Sequence, residues 1–516
     1  MMVANKHTLS MLLAGMFVDP SVLAEQTITG LTLDSRKVQR GNLFISLSAN
    51  KEQRALYIQQ ALTLGAIVVL FDANQVLSEQ ETLALVRANV NAYPIRKLAD
   101  KVGCCAARFY GHPSLAMTVI AVTGTNGKTS VSQFIAQSLE FLGLPCGVIG
   151  TLGVGRLNKL QSSGMTTPDP VSLQAALANL YQQKIKYVVI EASSHALEQG
   201  RLNGVDVDVA VLTNLSRDHL DYHQDMVRYA AAKQRLFEMA NIKTAVINSD
   251  DDFGRLLITR LTAKNALNLM TYSSLGQNDA SLQAQTIQAT SDGLNFALIG
   301  ESFSADIQSG LLGRFNVDNL LAAAASLLAI NLSFYSVVKA LAQCHSVDGR
   351  MQCYGGNQQP HIVIDFAHTP DALQQALKSL RVHLASNGQL WCVFGCGGDR
   401  DVGKRALMGQ VAELYADKIV LTDDNPRSET PATIVHDILS GIKQQQNVHI
   451  EHDRQLAIFY VVSHAKATDI VLLAGKGHEQ YQEIAGVKQP FSDAVVVQQI
   501  LLAANDATQS LLRFKS

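Results

Sequence analysis

Apolar residues in this chain come in uninterrupted blocks more often than in strict alternation. In the middle of the sequence, "TVIAVTG" (118–124), "KYVVIEAS" (186–193), "DVAVLTNLS" (208–216) and "KTAVINSD" (243–250) are apolar runs bounded by polar residues. Such runs suit parallel strands covered on both faces. The last third repeats the pattern with "HIVIDFAH" (361–368), "QLWCVFGCGGD" (389–399), "KIVLTDDNP" (418–426) and "DIVLLAGKGHE" (469–479). Helical patterns such as "PDALQQALKSLRVHL" (370–384) and "KRALMGQVAELYA" (404–416) separate them. Strands alternating with helices predict doubly wound parallel sheets. In each of these last four runs, the polar residues follow the apolar ones. Open α/β sheets place ligands beyond the carboxyl ends of their strands, so the chemistry is expected there.

The first section reads as short strands, "LTLDSR" (31–36), "NLFISL" (42–47) and "AIVVLFD" (66–72), with a helix over "ALYIQQALTLGA" (55–66). Gly111 and Pro113 in "FYGHPSLA" break the pattern and read as a hinge. A polar segment around 262–312 reads as further strands, and "VDNLLAAAASLLAI" (317–330) as a helix. The expected architecture is α/β in three domains, 1–111, 112–346 and 347–516. The central one is a P-loop-type doubly wound sheet and the C-terminal one Rossmann-like.

Composition narrows the function. A chain of 516 residues is too long for one core. A formal net charge of −2 gives neither a nucleic-acid footprint nor a polybasic membrane patch, so small molecules are the expected partners. The seven cysteines (Cys104, Cys105, Cys146, Cys344, Cys353, Cys392, Cys396) are odd in number and contain no C-x-x-C pair. They read as reduced thiols of a cytoplasmic protein. The N-terminal stretch imitates a secretory leader, but a short buried helix ended by Asp19-Pro20 is the preferred reading. No apolar run reaches the length of a membrane span.

The stretch "GTNGKTS" follows the strand at 118 and precedes an amphipathic helix. Backbone N–H groups of a glycine turn and a helix N-terminus cradle phosphates. Gly124 and Gly127 permit the turn, Lys128 can reach the β/γ-phosphates, and Thr129 or Ser130 can offer a hydroxyl to magnesium. The common G-x-x-x-x-G-K spacing would need glycine at Val122, so this loop is a shortened form. A bare glycine turn is the alternative. Glu191 at a strand end is a natural ligand for a hard cation. "TNLSRDHLDYH" adds Asn214, Asp218, His219, Asp221 and His223. By itself Lys233 reads as a solvated helix lysine.

At this point the residues match a family. "GTNGKTS", "EASSHAL", "TNLSRDHLDYH", "GRFNVDNLLAA", "DFAHTPDAL", "GGDRDVGKR", "DDNPR" and "AGKGHEQ" occur in the order seen in Mur ligases. The chain resembles the diaminopimelate-adding branch of that family from about residue 31 to about residue 490. The resemblance implies ATP-dependent amide-bond formation through an acyl phosphate, on a UDP-N-acetylmuramoyl-dipeptide, for peptidoglycan precursors. It implies ATP contacts from Gly124, Thr125, Asn126, Gly127, Lys128, Thr129, Ser130, Asn319 and Arg350. Lys128, His219 and Lys233 would be catalytic. It further implies two magnesium ions, one at Thr129 and Glu191, the other at His219 and a Lys233 carbamylated by CO2.

For the nucleotide-sugar substrate, the resemblance points to Leu33 and Ser35, then to Thr166, Thr167, Ser193, Gln199 and Arg201. The stretch "SANKEQRALYI" departs from the family near Asn50 to Gln53. Turn and cap roles are the alternative for the threonines and Ser193. For the amino acid, it points to Arg400, Asp424, Asn425, Pro426, Arg427, Gly475 and Glu479. Meso-diaminopimelate carries a second carboxylate where lysine has none, and arginine binds carboxylates bidentately. Asp348 and Ala406 stand where the family favours proline. The competing readings are a lysine-adding ligase, a folylpolyglutamate synthase-like ligase, a nucleotide-driven switch and an inactive scaffold. A monomer is expected.

Overall fold

The computed structural model describes residues 7–16, 26–264, 267–276, 279–290, 292–356 and 358–513. The chain forms two compact units, one up to Thr271 with Ala325–Leu332, the other of Tyr272–Ala324 and Ser333 onward.

In the first unit, β1 (Gly30–Thr32), β2 (Asn42–Ser46), β3 (Val68–Asp72) and β4 (Asn91–Ile95) pair in sequence order, all parallel. Helices α1 (Lys51–Thr63), α2 (Glu79–Ala88) and α3 (Leu98–Phe109) accompany them. The strand predicted over 31–36 stops at Thr32, and Asp34 then caps a 3-10 turn at Ser35–Lys37. The helix predicted from 55 begins earlier, because the Asn50 side chain accepts the Gln53 N–H as an N-cap at 3.0 Å. At the N-terminus a short helix, Leu9–Leu12, buries Leu9 and Leu12 as expected. The expected stop at Asp19-Pro20 lies outside the described residues.

The nucleotide sheet follows: β5 (Thr118–Thr123), α4 (Lys128–Phe141), β6 (Cys146–Gly150), β7 (Gly153–Gly155), α5 (Pro170–Gln182), β8 (Tyr187–Glu191), α6 (Ser194–Glu198), β9 (Val209–Leu212), α7 (Met226–Gln234) and β10 (Thr244–Asn248). The spatial order is β10-β9-β5-β8-β6-β7, parallel except for the β6–β7 hairpin. All residues of β6, β9 and β10 are buried, which is why β9 and β10 read as apolar runs. Placing β8 between β5 and β6 brings three strand ends together.

The second unit contains an antiparallel meander, β11 (Leu282–Thr290), β12 (Gly293–Gly300) and β13 (Ser304–Ser309), and the first ten residues of α8 (Phe315–Ala329), whose end from Ala325 belongs to the first unit. Its main sheet has β14 (Gln352–Gly356), β15 (Gln359–Asp365), β16 (Leu390–Phe394), β17 (Lys418–Leu421), β18 (Val448–Ile450) and β19 (Ile470–Ala474) in the order β14-β15-β19-β16-β17-β18. Only β14 is antiparallel. Helices α9 (Pro370–Arg381), α10 (Gly403–Tyr415), α11 (Pro431–Leu439), α12 (Arg454–His464) and α13 (Asp493–Arg513) cover it. Two apolar clusters result, one around Cys392, Phe394 and Leu472, the other around Trp391, Val393 and Val471. A hairpin of β20 (Tyr481–Ile484) and β21 (Val487–Pro490) leaves the end of β19. Among the described residues no helix is long and apolar enough to cross a membrane.

Candidate active site

The loop between β5 and α4 has Gly124 at φ 149° and Gly127 at φ 84°. A Cβ on Gly124 would lie 1.8 Å from Thr213 Oγ1, so only glycine fits. The loop is stitched to the end of β9. Thr125 N donates to Asn214 O and Asn126 N to Asn214 Oδ1, each at 2.9 Å, and Ser216 N donates to Thr125 Oγ1 at 2.9 Å. Asn214, a metal candidate from sequence, thus shapes the phosphate loop. Lys128 Nζ donates to the carbonyls of Gly124 and Thr125 at 2.8 Å each. Gly127 ends the loop as the left-handed cap of α4, leaving the helix's first N–H groups for a phosphate. Ser130 is half-buried on the first turn.

Glu191 ends β8 with no exposure. Its carboxylate accepts Thr129 Oγ1 at 2.8 Å, Thr151 N at 2.9 Å and Thr151 Oγ1 at 3.0 Å. Thr151 Oγ1 also reaches Thr166 Oγ1 at 3.1 Å. Among the described residues no side-chain cation pairs with Glu191. A buried carboxylate held only by hydroxyl and amide donors calls for a positive charge, so the residues fit a divalent cation at Thr129 and Glu191. Gly150 is the reason there is room: a Cβ there would meet Glu191 Oε1 at 2.2 Å. Sequence reasoning missed Thr151, whose only signal was its place directly after an apolar run.

The five residues assigned to the sugar-peptide form one chain of contacts beside Glu191. Thr167 Oγ1 donates to Glu191 O at 2.6 Å and lies 3.2 Å from Ser193 Oγ. Ser193 also caps α6 by accepting Ala196 N at 3.2 Å. Arg201 donates to Thr167 O at 2.7 Å and to Gln199 Oε1 at 2.7 and 3.0 Å. Burial lowers the Arg201 guanidinium below its ordinary value. In the N-terminal sheet, Leu33 is half-buried and Ser35 Oγ donates to Gln60 Oε1 at 2.7 Å.

Lys233, on α7, is 1% exposed and donates from Nζ to Gly124 O at 2.7 Å. It is therefore not a solvated helix lysine. Burial, then the charge of Lys128, holds its amine well below the ordinary lysine value, with Asp218 opposing. Tyr229 links this lysine to His219: Nζ sits 4.4 Å from the Tyr229 ring centroid, and the His219 ring 6.2 Å from it. His219 has φ 53° and lies 3.4 Å from Asp218. His223, by contrast, is buried at 2.9 Å from Ser194 Oγ.

In the second unit, the loops after β16, β17 and β19 converge. A Cβ on Gly397 would meet Arg427 Nη1 at 2.9 Å and Arg400 Cγ at 3.6 Å, so both arginines flank one backbone position. Arg427, at φ 51°, donates from Nη1 to Gly398 O at 2.7 Å, and its Nε lies 3.4 Å from Glu483 Oε2. Asn425 donates to Glu479 Oε2 at 2.9 Å. Gly475, at φ 109°, leaves room for Asp424, whose Oδ2 would sit 2.7 Å from a Cβ there. Asp424, Asn425 and Pro426 are buried and Arg400 is exposed. Lys476, fully buried among these groups, was missed; its signal was its place inside "AGKGHEQ". Asn319 donates to Asn316 Oδ1 at 2.9 Å on α8, and the Arg350 guanidinium stands 5.3 Å from the Phe366 ring centroid.

Three family models match: "Mur ligase family, catalytic domain" over residues 27–110, "Mur ligase middle domain" over 122–327 and "Mur ligase, glutamate ligase domain" over 349–477. A UDP-N-acetylmuramoyl-L-alanyl-D-glutamate–2,6-diaminopimelate ligase of Ectopseudomonas mendocina is 45% identical over 94% of this chain and 97% of its own. The ligase of that name in Coxiella burnetii is 45% identical over 92% and 95%. A solved structure of a ligase with that name superposes with a TM-score of 0.73 at 39% identity, covering 97% of this chain and 99% of the other. At 18% identity, a MurF structure from Acinetobacter baumannii shares the fold with a TM-score of 0.58 over 92% and 94%. The chain belongs to the Mur ligase family.

Proposed function

We propose that this protein joins meso-diaminopimelate to the D-glutamyl carboxylate of UDP-N-acetylmuramoyl-L-alanyl-D-glutamate, hydrolysing ATP to ADP and phosphate, in cytoplasmic synthesis of peptidoglycan precursors. The observation that carries this reading is the pairing of Arg427 and Arg400 at Gly397 beside Asp424, Asn425 and Glu479. Such a pocket offers guanidinium to a distal carboxylate and carboxylate to a distal ammonium. Lysine has no distal carboxylate to offer these arginines.

The glutamyl carboxylate oxygen attacks the γ-phosphorus, ADP leaves, and a mixed anhydride forms. The amine nitrogen then attacks the acyl carbon, loses a proton, and phosphate departs as the amide closes. The Gly124–Ser130 loop binds the nucleotide phosphates, and Lys128, already turned onto that loop, supplies a positive charge where charge develops. Asn319 and Arg350 are assigned to the nucleotide as well. Thr166, Thr167, Ser193, Gln199 and Arg201 orient the sugar-peptide, and Leu33 with Ser35 the uridine end. Bound magnesium would draw charge from the phosphoryl oxygens. Thr129 and Glu191 would hold one ion, and His219 with a carbamylated Lys233 a second; the buried, low-pKa amine of Lys233 supports that modification. We place the domain boundaries at 111/112 and 346/347 and take the protein as a monomer. Its free thiols suit the cytoplasm.

The test is phosphate release with ATP, magnesium and the UDP-dipeptide, comparing meso-diaminopimelate with L-lysine. Release that depends strongly on diaminopimelate is expected. Equal release with both would overturn the specificity, and release without any amino acid would overturn the ligase reading.

A further inference from the structure

Lys476 follows β19 in a site where a cation is costly unless well partnered. Its side chain has no exposure. Nζ donates to Asn425 Oδ1 and Glu479 Oε2 at 3.2 Å each, and lies 3.6 Å from Asp424 Oδ1. All three partners belong to the residues assigned above to the amino acid, and the carboxylates of Asp424 and Glu479 to its distal ammonium. The Asn425 amide cannot turn over. Its Oδ1 also accepts Glu483 N at 2.9 Å, while its Nδ2 donates to Glu479 Oε2 at 2.9 Å. A flipped amide would set NH2 against an ammonium and a backbone N–H. Glu479 Oε2 is thus held twice, and Oε1 makes no hydrogen bond among the described residues.

Resting on the ligase reading, we propose that Lys476 is a positioning residue for amino-acid selection: it locks the Asn425 amide and pins one oxygen of Glu479, so that the other oxygen faces the distal ammonium of a diamino acid. It also places a positive charge 3.6 Å from Asp424 and 3.2 Å from Glu479. Asp424 is surrounded by Arg454 and Lys476 on one side of the balance and Glu479 and Asp493 on the other. Burial already pushes the Asp424 carboxyl up, with Arg454 and Lys476 opposing. Arg454 is engaged elsewhere, pairing with Asp493 at 2.7 and 2.8 Å. Lys476 is the cation that, besides opposing protonation of Asp424 alongside Arg454, also contacts Asn425 and Glu479 directly.

The experiment is steady-state kinetics of Lys476→Met with all three substrates. Loss of a charged hydrogen-bond donor predicts KM for meso-diaminopimelate raised about tenfold or more, with KM for ATP and for the UDP-dipeptide unchanged and kcat within about twofold. Without the cation Asp424 protonates more readily, so this raised KM falls as pH increases, and more steeply than in the wild type. Adding Glu479→Gln to Lys476→Met then costs less than Glu479→Gln alone, because both act on one contact. If Lys476→Met does not fold, Lys476→Gln, which keeps a donor without the charge, carries the same test. An unchanged KM for diaminopimelate, equal losses for all three substrates, or additive effects in the double variant would overturn the role of Lys476. Wild-type enzyme that accepts lysine equally would instead overturn the diaminopimelate specificity on which it rests.

Discussion

The buried Nζ of Lys233 and the carbonyl of Gly124 meet at 2.7 Å, although the residues are 109 positions apart. A helix lysine thereby touches the phosphate loop itself. Its amine is held well below the ordinary lysine range, first by burial and then by Lys128. The neutral form is the one that adds to CO2: nitrogen bonds to carbon and releases a proton. Lys233→Ala is expected to abolish phosphate release while still binding ADP, seen as a retained rise in Tm. Formate or acetate should restore part of the turnover by standing in for the carbamate. As pH falls through the depressed pKa, wild-type activity should become dependent on added bicarbonate. Full activity of Lys233→Ala would reject the metal-bridging role.

Gly124→Ala tests the loop. The new Cβ collides with Thr213 Oγ1 and would need φ near 149°, which an L-residue rarely adopts. Loss of the stabilisation by ADP is expected, by thermal shift, with far-UV circular dichroism unchanged. Normal nucleotide binding would show that the loop has another geometry in solution.

Arg427→Ala removes a guanidinium set between Gly398 O and Glu483. A charged hydrogen bond contributes about 1.5–3 kcal/mol, so KM for meso-diaminopimelate should rise about 10- to 100-fold with kcat little changed. Arg427→Lys should not restore it, because a point ammonium lacks the two-pronged geometry. A matching loss with lysine as substrate would indicate a structural role.

The Arg54–Glu81 pair anchors the N-terminal sheet. Both side chains are at most 1% exposed, with contacts at 2.6 and 3.0 Å, and Glu81 also completes the capping box of α2 with Ser78. Glu81→Ala leaves Arg54 charged and buried, at a cost of about 3–5 kcal/mol measured by urea unfolding. Burial pushes the Glu81 carboxyl up, but hydrogen bonds from Arg54 and Ser78 outweigh it and leave the value below normal. Its contribution is therefore complete above the unfolded pKa and disappears as pH falls through the depressed folded one. A variant whose acid sensitivity equals that of wild type would refute this account.

Much of the architecture was readable in one dimension. Strands buried on both faces have no polar face to show, so β16 and β19 appear as plain apolar runs, and their ligand residues follow directly in the chain. The phosphate loop was equally local: Gly124, Gly127 and Lys128 lie within five residues. The 3-10 turn at Ser35 and the early start of α1 were less legible, because single side-chain caps at Asp34 and Asn50 decide them.

The amino-acid sequence by itself determined where apolar blocks alternate with polar ends and which short motifs sit at those ends. That follows because burial preference and turn chemistry act over a few residues. Strand order was decided only in three dimensions. By inserting β8 between β5 and β6, the fold brings Thr129 and Thr151 onto Glu191. By inserting β19 between β15 and β16, it sets Lys476 against Asn425 and Glu479, and packing makes a buried amine of Lys233. Contacts of this kind depend on which distant segments become neighbours, and no local pattern encodes that.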